Sequence, residues 1–366
     1  MTRVYLIRHA EAEGNLYRVA QGQDNSNLTD RGWRQVKALE KRFETIGVDA
    51  IYASDLYRTC ATASAVYKPK GLTLHRRRDL REICVGVWEQ KPWGEIARTD
   101  DGQLANFTAH PERWSVPGGE PPAQVQTRVV AAAKEIAAAH EGQTVALVSH
   151  GYAIRLLLAA AQGVALEDLE QTPLGDNTAV SLLEYENGTL RVVFRDDNSH
   201  LQSPEYLAGE KVRRRAVGVE AGLYFLPLSA QQAEMFAPVA ESCWAESRKR
   251  DPFDWKKFAA GMERRLTLAA YLREECVGLM QLEPENGWIS LLCIRPEFRQ
   301  RSFGVQLIGQ AVLRTRRAGG ETLQIRLEPG NPAEVFFRDY GFFPVEREAG
   351  LLRKKIGFEP EYLTTE

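Results

Sequence analysis

The stretch LIRHAE, residues 6–11, decides the fold of the first half of this 366-residue chain. It continues an apolar run that begins at Val4, and such a short run is typical of a buried strand. The apolar residues then give way to Arg8 and His9. Because ligands of open α/β sheets bind beyond the carboxyl ends of the strands, this polar pair indicates a functional site.

Two further strands are predicted, and each is followed by polar residues. Residues 49–53 form one apolar run shortly before Arg58, and residues 144–149 form another that leads directly into His150 and Gly151. The helical spacing of apolar residues predicts helices after an N-cap at Thr29, over 59–67, over 129–140 and after Gly151. Strands that alternate with helices predict an α/β sheet covered on both faces.

The strand ends would bring two imidazoles and two guanidiniums to one rim of this sheet. A phosphomonoester carries about −1.5 to −2 charge near neutrality, and two guanidinium forks can bind it bidentately. The helix after Gly151 would add backbone N–H groups aimed at the same anion. A single Arg-His pair is typical of an ordinary surface, but His9, His150, Arg8 and Arg58 together indicate a phosphoryl-transfer site.

Such a site needs a nucleophile and an acid. A neutral imidazole attacks phosphorus when one ring nitrogen keeps its proton and the other points at the reacting atom. A carboxylic acid must then protonate the leaving oxygen, which is worth about 10²–10⁴ in rate. Glu82, in the segment LREI at 80–83, is the candidate acid.

The first half resembles the histidine phosphatase (phosphoglycerate-mutase-like) superfamily over about residues 3 to 200. The resemblance rests on LIRHAE with Asn15, on LTDRG at 28–32, on SDLYRT at 54–59, on LREI at 80–83 with a Trp-Glu pair at 88–89, and on VSHG at 148–151. It implies a three-layer α/β/α fold and a phosphorylated His9. It further implies that Arg8, Arg58 and His150 hold the phosphoryl group, that Glu82 is the general acid and that Asn15 lines the phosphate pocket.

The resemblance implies a phosphoryl-transfer domain that needs neither metal nor cofactor. It leaves open which group accepts the phosphoryl group. Water makes the domain a phosphatase for small metabolites, similar to the alpha-ribazole phosphatase-like branch, and this is the favoured interpretation. A second hydroxyl makes it a phosphoglycerate-type mutase, and binding without turnover makes it a phosphate-binding module. Ala10 replaces a usual glycine, and the segment between Glu89 and Glu120 is expected to cap the site and set substrate choice.

The second half has a different pattern of predicted strands and helices. The strand-helix pattern lapses in a polar, partly basic stretch, so we predict a first domain over 1–205, a linker over 206–218 and a second domain over 219–366. Neighbouring strands suggest antiparallel pairing and an α+β fold. The expected strands are 222–228, 268–272, 277–282, 288–294 and 323–327, and the expected helices are 230–247, 254–266, 303–317 and 333–340, followed by a hairpin.

The second domain contains a loop suited to a pyrophosphate. The segment 291–304 passes from a strand through a loop into a helix, whose first turn offers unpaired backbone N–H groups. Residues 219 to 356 resemble the fold of GNAT-type N-acetyltransferases, and Arg299 to Gly304 resemble the acetyl-CoA loop of that family. The resemblance implies acetyl-CoA as cofactor and an unknown amine as acceptor. The implied cofactor-binding residues are Cys293, Ile294, Arg299, Arg301, Ser302, Phe303, Gly304 and Asn331.

Two residues depart from the GNAT pattern. Ser302 stands where the loop has its first glycine, which places a Cβ where backbone must approach phosphate. Phe337 stands where many members have an acidic tyrosine, and phenylalanine cannot donate a proton to a thiolate. Tyr340, about one helical turn further on, is an alternative donor. A non-catalytic domain that binds acyl-CoA as a regulatory ligand therefore remains the alternative to an active acetyltransferase.

Composition excludes several classes of protein. The net charge of −2 lacks the basic excess of a nucleic-acid-binding protein. We expect no membrane span, because no run approaches eighteen apolar residues. Five scattered cysteines without a CxxC pair predict neither disulfides nor zinc and suit a reducing compartment. The sequence thus predicts a cytoplasmic, bifunctional protein without a metal site.

Overall fold

The computed structural model describes residues 1–208, 222–244 and 254–363. The strands of the first sheet are β1 (Thr2–Arg8), β2 (Ala50–Ser54), β3 (Leu74–Arg77), β4 (Thr144–Ser149), β5 (Val180–Glu186) and β6 (Thr189–Asp197). Their order in the sheet is β3-β2-β4-β1-β5-β6. The first four in this order are parallel to one another, β5 pairs antiparallel with β1, and β6 pairs antiparallel with β5.

Helices cover both faces of this sheet. They are α1 (Glu13–Tyr17), α2 (Asp30–Phe43), α3 (Tyr57–Lys70), α4 (Trp93–Thr99), α5 (Asp101–Ala109), α6 (Pro122–Ala139), α7 (Gly151–Ala161) and α8 (Pro204–Ala208). Leu6 of β1 packs in one core with α6 and α7, whereas its neighbour Ile7 packs in another with α2 and α3. This alternation along the strand produces the predicted α/β/α layers.

The boundaries of several helices differ from the prediction, three of them by the most. The predicted helix 129–140 begins at Pro122, because proline at the first helical position lacks only an N–H that would be unpaired anyway. In the second half, α9 (Ala233–Trp244) follows a 3-10 turn, and residues 245–247 of its predicted span lie outside the described residues. The helix predicted to reach residue 266 is α10 (Trp255–Met262), since Leu266 already pairs in a strand.

A seven-stranded sheet, ordered β12-β13-β11-β10-β9-β8-β7, forms the second half. Its remaining helices are α11 (Phe303–Arg317) and α12 (Ala333–Asp339). The strands are β7 (Tyr224–Pro227), β8 (Leu266–Leu272), β9 (Glu275–Glu283), β10 (Trp288–Ile294), β11 (Thr322–Arg326), β12 (Phe343–Pro344) and β13 (Leu351–Lys355). The mixed sheet agrees with the α+β prediction. Residues 209–218 of the predicted linker lie outside the described residues.

The second sheet opens near its middle. β10 and β11 are parallel, but they pair only at Trp288 with Gln324 and at Ile289 with Ile325. The pairing of β10 with β9 shifts its register after Ile289 and then continues as far as Ile294. The two parallel strands therefore diverge toward the end of β10, where the loop to α11 begins.

The two halves pack against each other through α1 and α11. Tyr17 of α1 is buried in the core of the second sheet. Gly309 of α11 permits this approach, because a Cβ there would lie 2.5 Å from both Cβ and Cγ of Tyr17. At the far end of α11, Arg316 donates two hydrogen bonds to the buried Glu13 carboxylate, at 2.6 and 3.1 Å. Asn27 Nδ2 donates to the carbonyl of Ile356.

The carboxyl-terminal segment returns to the first sheet's helices. The Tyr362 ring packs on Tyr57 and Trp33, and Arg76 donates a hydrogen bond to the Leu363 carbonyl. In the described residues, no helix is both long and apolar enough to cross a membrane.

The glycine at the domain contact gives a stability prediction. We expect Gly309→Ala to lower the free energy of unfolding by about 1–3 kcal/mol, because the new methyl group overlaps Tyr17. Gly102→Ala is the matched control, since this helical glycine has open space around its Cβ position and alanine there should add up to about 1 kcal/mol. Urea unfolding measures both, and equal stability of the two variants would contradict the tight contact.

Candidate active site

Three adjacent strand ends bring the predicted residues of the first domain together. In the sheet order, β4 lies between β2 and β1, and all three are parallel. His9 follows β1 and His150 follows β4, so the two imidazoles meet with ring centroids 5.3 Å apart. Arg58 lies in the first turn of α3, just beyond β2. The predicted convergence on one rim is therefore present.

His9 presents one free ring nitrogen. Its Nδ1 donates a hydrogen bond to the carbonyl of Ala10 at 2.8 Å, which leaves Nε2 without a proton in the neutral ring. Burial and the positive charges of Arg58 and Arg8 hold the pKa of His9 well below its usual value. The imidazole is therefore neutral near pH 7, which is the state a nucleophile requires.

His150 has its tautomer set by two neighbours. Its Nδ1 accepts a hydrogen bond from Nε of Arg58 at 3.2 Å, so Nε2 carries the proton and donates to Ser54 Oγ at 2.8 Å. Burial, with the nearby charge of Arg58, lowers the pKa of His150 well below its usual value. Ser54 was part of the quoted sequence pattern, but nothing in the sequence indicated that it would contact His150.

Arg58 is buried and Arg8 is half-buried, and the two arginines differ in their partners. Arg58 donates from Nη2 to the Gly22 carbonyl and from Nη1 to the Asp24 carbonyl, both at 2.8 Å. Burial lowers the pKa of Arg58 to about 10, and the Glu82 and Glu89 carboxylates oppose that shift. Arg8 donates to the Gly175 carbonyl. Its buried Nε has no hydrogen-bond partner among the described residues.

The Glu82 side chain lies against the amino-terminal end of α7, the helix that begins directly after His150. Its carboxylate accepts hydrogen bonds from the backbone N–H groups of Tyr152 at 3.0 Å, Ala153 at 2.9 Å and Ile83 at 3.1 Å. The first N–H groups of a helix have no partner within it, so the side chain caps α7. This contact fixes the carboxyl group next to His150.

Asn15 lies further from this centre. Its side chain is exposed and accepts a hydrogen bond from the Ala12 N–H at 3.0 Å. Asn177 approaches it at 3.4 Å and also donates to the His9 carbonyl at 2.9 Å. Sequence reasoning missed Asn177, because this residue follows an irregular segment far along the chain and carries no local pattern.

A partly buried carboxylate supports the turn that holds Arg58. Glu89 accepts hydrogen bonds from the N–H groups of Gly22 at 3.0 Å and Gln23 at 2.8 Å. Burial raises its pKa. A Cβ on Gly22 would lie 2.3 Å from the Glu89 carboxylate, so glycine is required there. The Trp-Glu pair at 88–89 was a sequence signal for this contact, although its role was not predicted.

The predicted cofactor residues of the second domain follow the divergence of β10 and β11. Ile294 ends β10, and its carbonyl accepts a hydrogen bond from Arg299 Nε at 3.0 Å. Ser302 precedes α11 with φ of 60°, a left-handed conformation that favours glycine. Arg301 lies over the Phe298 ring at 5.6 Å, and Phe303 is buried in the core.

α12 covers the start of α11. A Cβ on Gly304 would lie 2.9 Å from the ring of Phe336, so the two helices approach closely there. Asn331 Oδ1 accepts the Ala333 N–H and thereby caps α12. Phe337 is buried against Phe342 in the core.

Two other side chains lie around this region. The ring of Tyr340 packs on Phe336 at the carboxyl-terminal end of α12. Cys293 is partly buried among residues packed under α9.

Comparison with known proteins agrees with both halves. A family model described as histidine phosphatase superfamily (branch 1) matches residues 4–198. This chain belongs to that superfamily. A second model, described as an acetyltransferase (GNAT) domain, matches residues 234–351. Both predicted families and the fold class are confirmed.

Individual relatives resemble the first half. The chain is 31% identical over 209 residues to "Probable phosphoglycerate mutase GpmB" of Enterobacter sp. (strain 638), which covers 56% of this chain and 97% of that protein. The solved structure of Bacillus stearothermophilus YhfR is 34% identical, with a TM-score of 0.54, over 55% of this chain and all of that one. A mycobacterial glucosyl-3-phosphoglycerate phosphatase structure is 24% identical with a TM-score of 0.50, over 53% of this chain and 98% of that one, and supports the fold alone.

The buried imidazoles make stability depend on pH. Unfolded histidine titrates near pH 6.5, whereas His9 and His150 bind protons only well below that value when folded. The unfolded chain therefore binds more protons below pH 6.5, and stability is lost as the pH falls. We expect His150→Gln to reduce the loss between pH 7.5 and 5.5 by about 1 kcal/mol.

Urea unfolding at the two pH values measures this difference, with His75→Gln as the control at an exposed histidine. An acid loss in His150→Gln as large as in the parent chain would contradict a neutral buried His150.

Proposed function

We propose that the first domain, residues 1–205, hydrolyses a phosphomonoester of a small metabolite through a phosphohistidine on His9. The observation that carries this proposal is the free Nε2 of a neutral His9, beside His150 and near the guanidiniums of Arg58 and Arg8. Arg8 and Arg58 bind the phosphoryl oxygens, and His150 joins them when its Nε2–H turns from Ser54 Oγ to the substrate, since N–H donors to an anion form strong charge-assisted hydrogen bonds. Asn15 would contact the substrate further from His9, next to Asn177, which donates to the His9 carbonyl.

The reaction has two steps in this proposal. Nε2 of His9 attacks phosphorus, the phosphorus–oxygen bond to the leaving group breaks, and Glu82 supplies the proton to the departing oxygen. Water then attacks the phosphohistidine, Glu82 accepts its proton, and phosphate leaves with His9 restored. The side chains named here supply the nucleophile, the acid and the anion contacts. The domain therefore acts without a metal, in a reducing cytoplasm that keeps its cysteines free.

Kinetics of two variants test this function. His9→Ala should abolish phosphate release from an aryl phosphate, and Glu82→Gln should slow release from an alkyl phosphate by about 10²–10⁴. Activity should survive chelation by EDTA. Full activity in His9→Ala would reject the nucleophile, and loss with EDTA would indicate a metal enzyme.

A mutase is the second candidate, because the 31% identical relative from Enterobacter carries the name of a phosphoglycerate mutase. Both activities need the same phosphohistidine and differ only in the acceptor. Incubation with 3-phosphoglycerate separates them, since a phosphatase releases inorganic phosphate whereas a mutase forms 2-phosphoglycerate with the phosphate total unchanged.

For the second domain, residues 219–366, we propose acetyl-CoA binding and transfer of the acetyl group to an amine. The first N–H groups of α11, from Ser302 to Gly304, suit a pyrophosphate, and Arg301 adds charge. Beyond Ile289, the β10 backbone no longer pairs with β11, so the edge at Cys293 and Ile294 can hydrogen-bond the pantetheine amides. Asn331 lies at the start of the helix that covers this loop.

Transfer requires a proton donor for the departing thiolate. Phe337 offers no proton, and it is packed in the core. Tyr340, which packs on Phe336, is the other candidate donor. A regulatory acyl-CoA-binding domain therefore stays the alternative to an acetyltransferase, and turnover decides between them.

Titration of acetyl-CoA into the full chain tests the second domain. We expect binding that Arg301→Gln weakens by about tenfold, because a charge-assisted contact is worth about 1.5–3 kcal/mol. Arg353→Gln, at an exposed arginine of β13, should leave the affinity unchanged. Absence of binding by the parent chain would reject both candidates, and binding without thiol release in the presence of an amine panel would leave only the regulatory one.

A further inference from the structure

One arginine outside the proposed catalytic set uses every donor it has. Arg128 of α6 donates from Nε and Nη2 to the two oxygens of Glu120, at 2.7 and 2.9 Å. Its Nη1 donates to the carbonyls of Asp79 at 3.0 Å and Arg81 at 2.7 Å, and Nη2 also donates to the carbonyl of Glu82 at 3.0 Å. A guanidinium has five N–H groups, so none of them is left for a ligand.

The segment that Arg128 binds has irregular backbone. Only residues 78–80 form a 3-10 turn, and the chain then runs extended from Arg81. The carbonyls of Asp79, Arg81 and Glu82 therefore lack the regular partners of a helix or sheet, and buried carbonyls need other donors. Arg128 donates to all three, and Gln23 Nε2 adds a longer hydrogen bond to the Glu82 carbonyl at 3.2 Å, so Arg128 is the side chain that binds the most carbonyls of this segment.

Glu120 secures the same segment from the other side. Its backbone N–H donates to the Cys84 carbonyl at 2.9 Å, two residues beyond Glu82. Glu120 and Arg128 are both largely buried, with side-chain exposures of 18% and 21%, and they form a bidentate pair. The pair therefore contacts the chain before, at and after Glu82.

We propose that Arg128, oriented by Glu120, is a positioning residue that places the Glu82 carboxyl group against the leaving oxygen. This inference rests on the proposed function of Glu82 as the acid. The amino-terminal end of α7 orients the Glu82 carboxylate, while Arg128 fixes the backbone that carries it. A displacement of about 1 Å at such a group can cost about 10² in rate.

Lysine cannot replace this arginine. Its ammonium group is compact and offers three donors, whereas the Arg128 fork spans a carboxylate and three carbonyls. Arg128→Lys thus keeps the positive charge but releases part of the Glu82 segment. Arg77→Lys is the matched control, because Arg77 also joins this segment to α6, through Asp79 and Glu135, without contacting Glu82.

The experiment compares two substrates with the full chain. An aryl phosphate with a good leaving group departs with little help from an acid, whereas an alkyl phosphate requires protonation. We expect Arg128→Lys to lower kcat/KM for the alkyl phosphate by about 10–100-fold and for the aryl phosphate by less than about threefold. Glu82→Gln should give the same pattern with a larger loss, and Arg77→Lys should change neither substrate.

Each outcome decides the proposal. Equal losses on both substrates would mean that Arg128 only maintains the fold and would overturn the proposal, as would no loss on either. If Glu82→Gln itself is insensitive to the leaving group, the proposed acid is wrong, whereas a sensitive Glu82→Gln with an insensitive Arg128→Lys rejects the positioning role alone.

Should Arg128→Lys not fold, as judged by thermal unfolding, Glu120→Gln replaces it. This variant keeps one carbonyl acceptor for Arg128, and we expect the same selective loss for the alkyl phosphate at about 3–10-fold. Equal losses on both substrates in Glu120→Gln would overturn the proposal in the same way.

Discussion

The buried guanidinium of Arg58 and the half-buried one of Arg8, beside two imidazoles, are the constraint on which the first domain depends. Burying a charge is costly unless it is hydrogen-bonded, and Arg58 therefore binds the carbonyls of Gly22 and Asp24 and the ring of His150. Burial, together with these positive charges, lowers the pKa of both imidazoles and keeps them neutral. The centre holds an excess of donors and positive charge, and an anion with several acceptor oxygens complements it.

Two further charged side chains hold the backbone segments that carry the residues of this centre. Glu89 holds the turn that binds Arg58, and Arg128 holds the segment that bears Glu82. Both charged side chains hydrogen-bond backbone groups of irregular segments. These backbone groups need such partners because the site is built on turns at the strand ends, where the sheet supplies none. The second domain contacts α1, the helix just after the His9 turn, through Tyr17 and Glu13.

Local sequence predicted the parallel strands β1, β2 and β4 and the placement of His9 and His150 in the candidate site at their ends. Buried strands are short apolar runs, and the polar residues directly after them, such as His9 and His150, must lie at the sheet edge because parallel strands end there. Residues whose role depends on distant partners were not predictable. Arg128 and Asn177 lie in segments without a distinctive local pattern, and their contacts are formed only by the folded chain. The domain contact was hidden for the same reason, since Gly309 looks like any helical glycine.

The central claim is that His9 carries the phosphoryl group during the reaction. Rapid quenching of the chain with a radiolabelled phosphomonoester, followed by peptide mapping, tests it most directly. The account predicts label on the peptide that contains His9, stable to alkali and lost in acid, and none in His9→Ala. Label on a serine or an aspartate, or phosphate release at full rate without any trapped label, would contradict it.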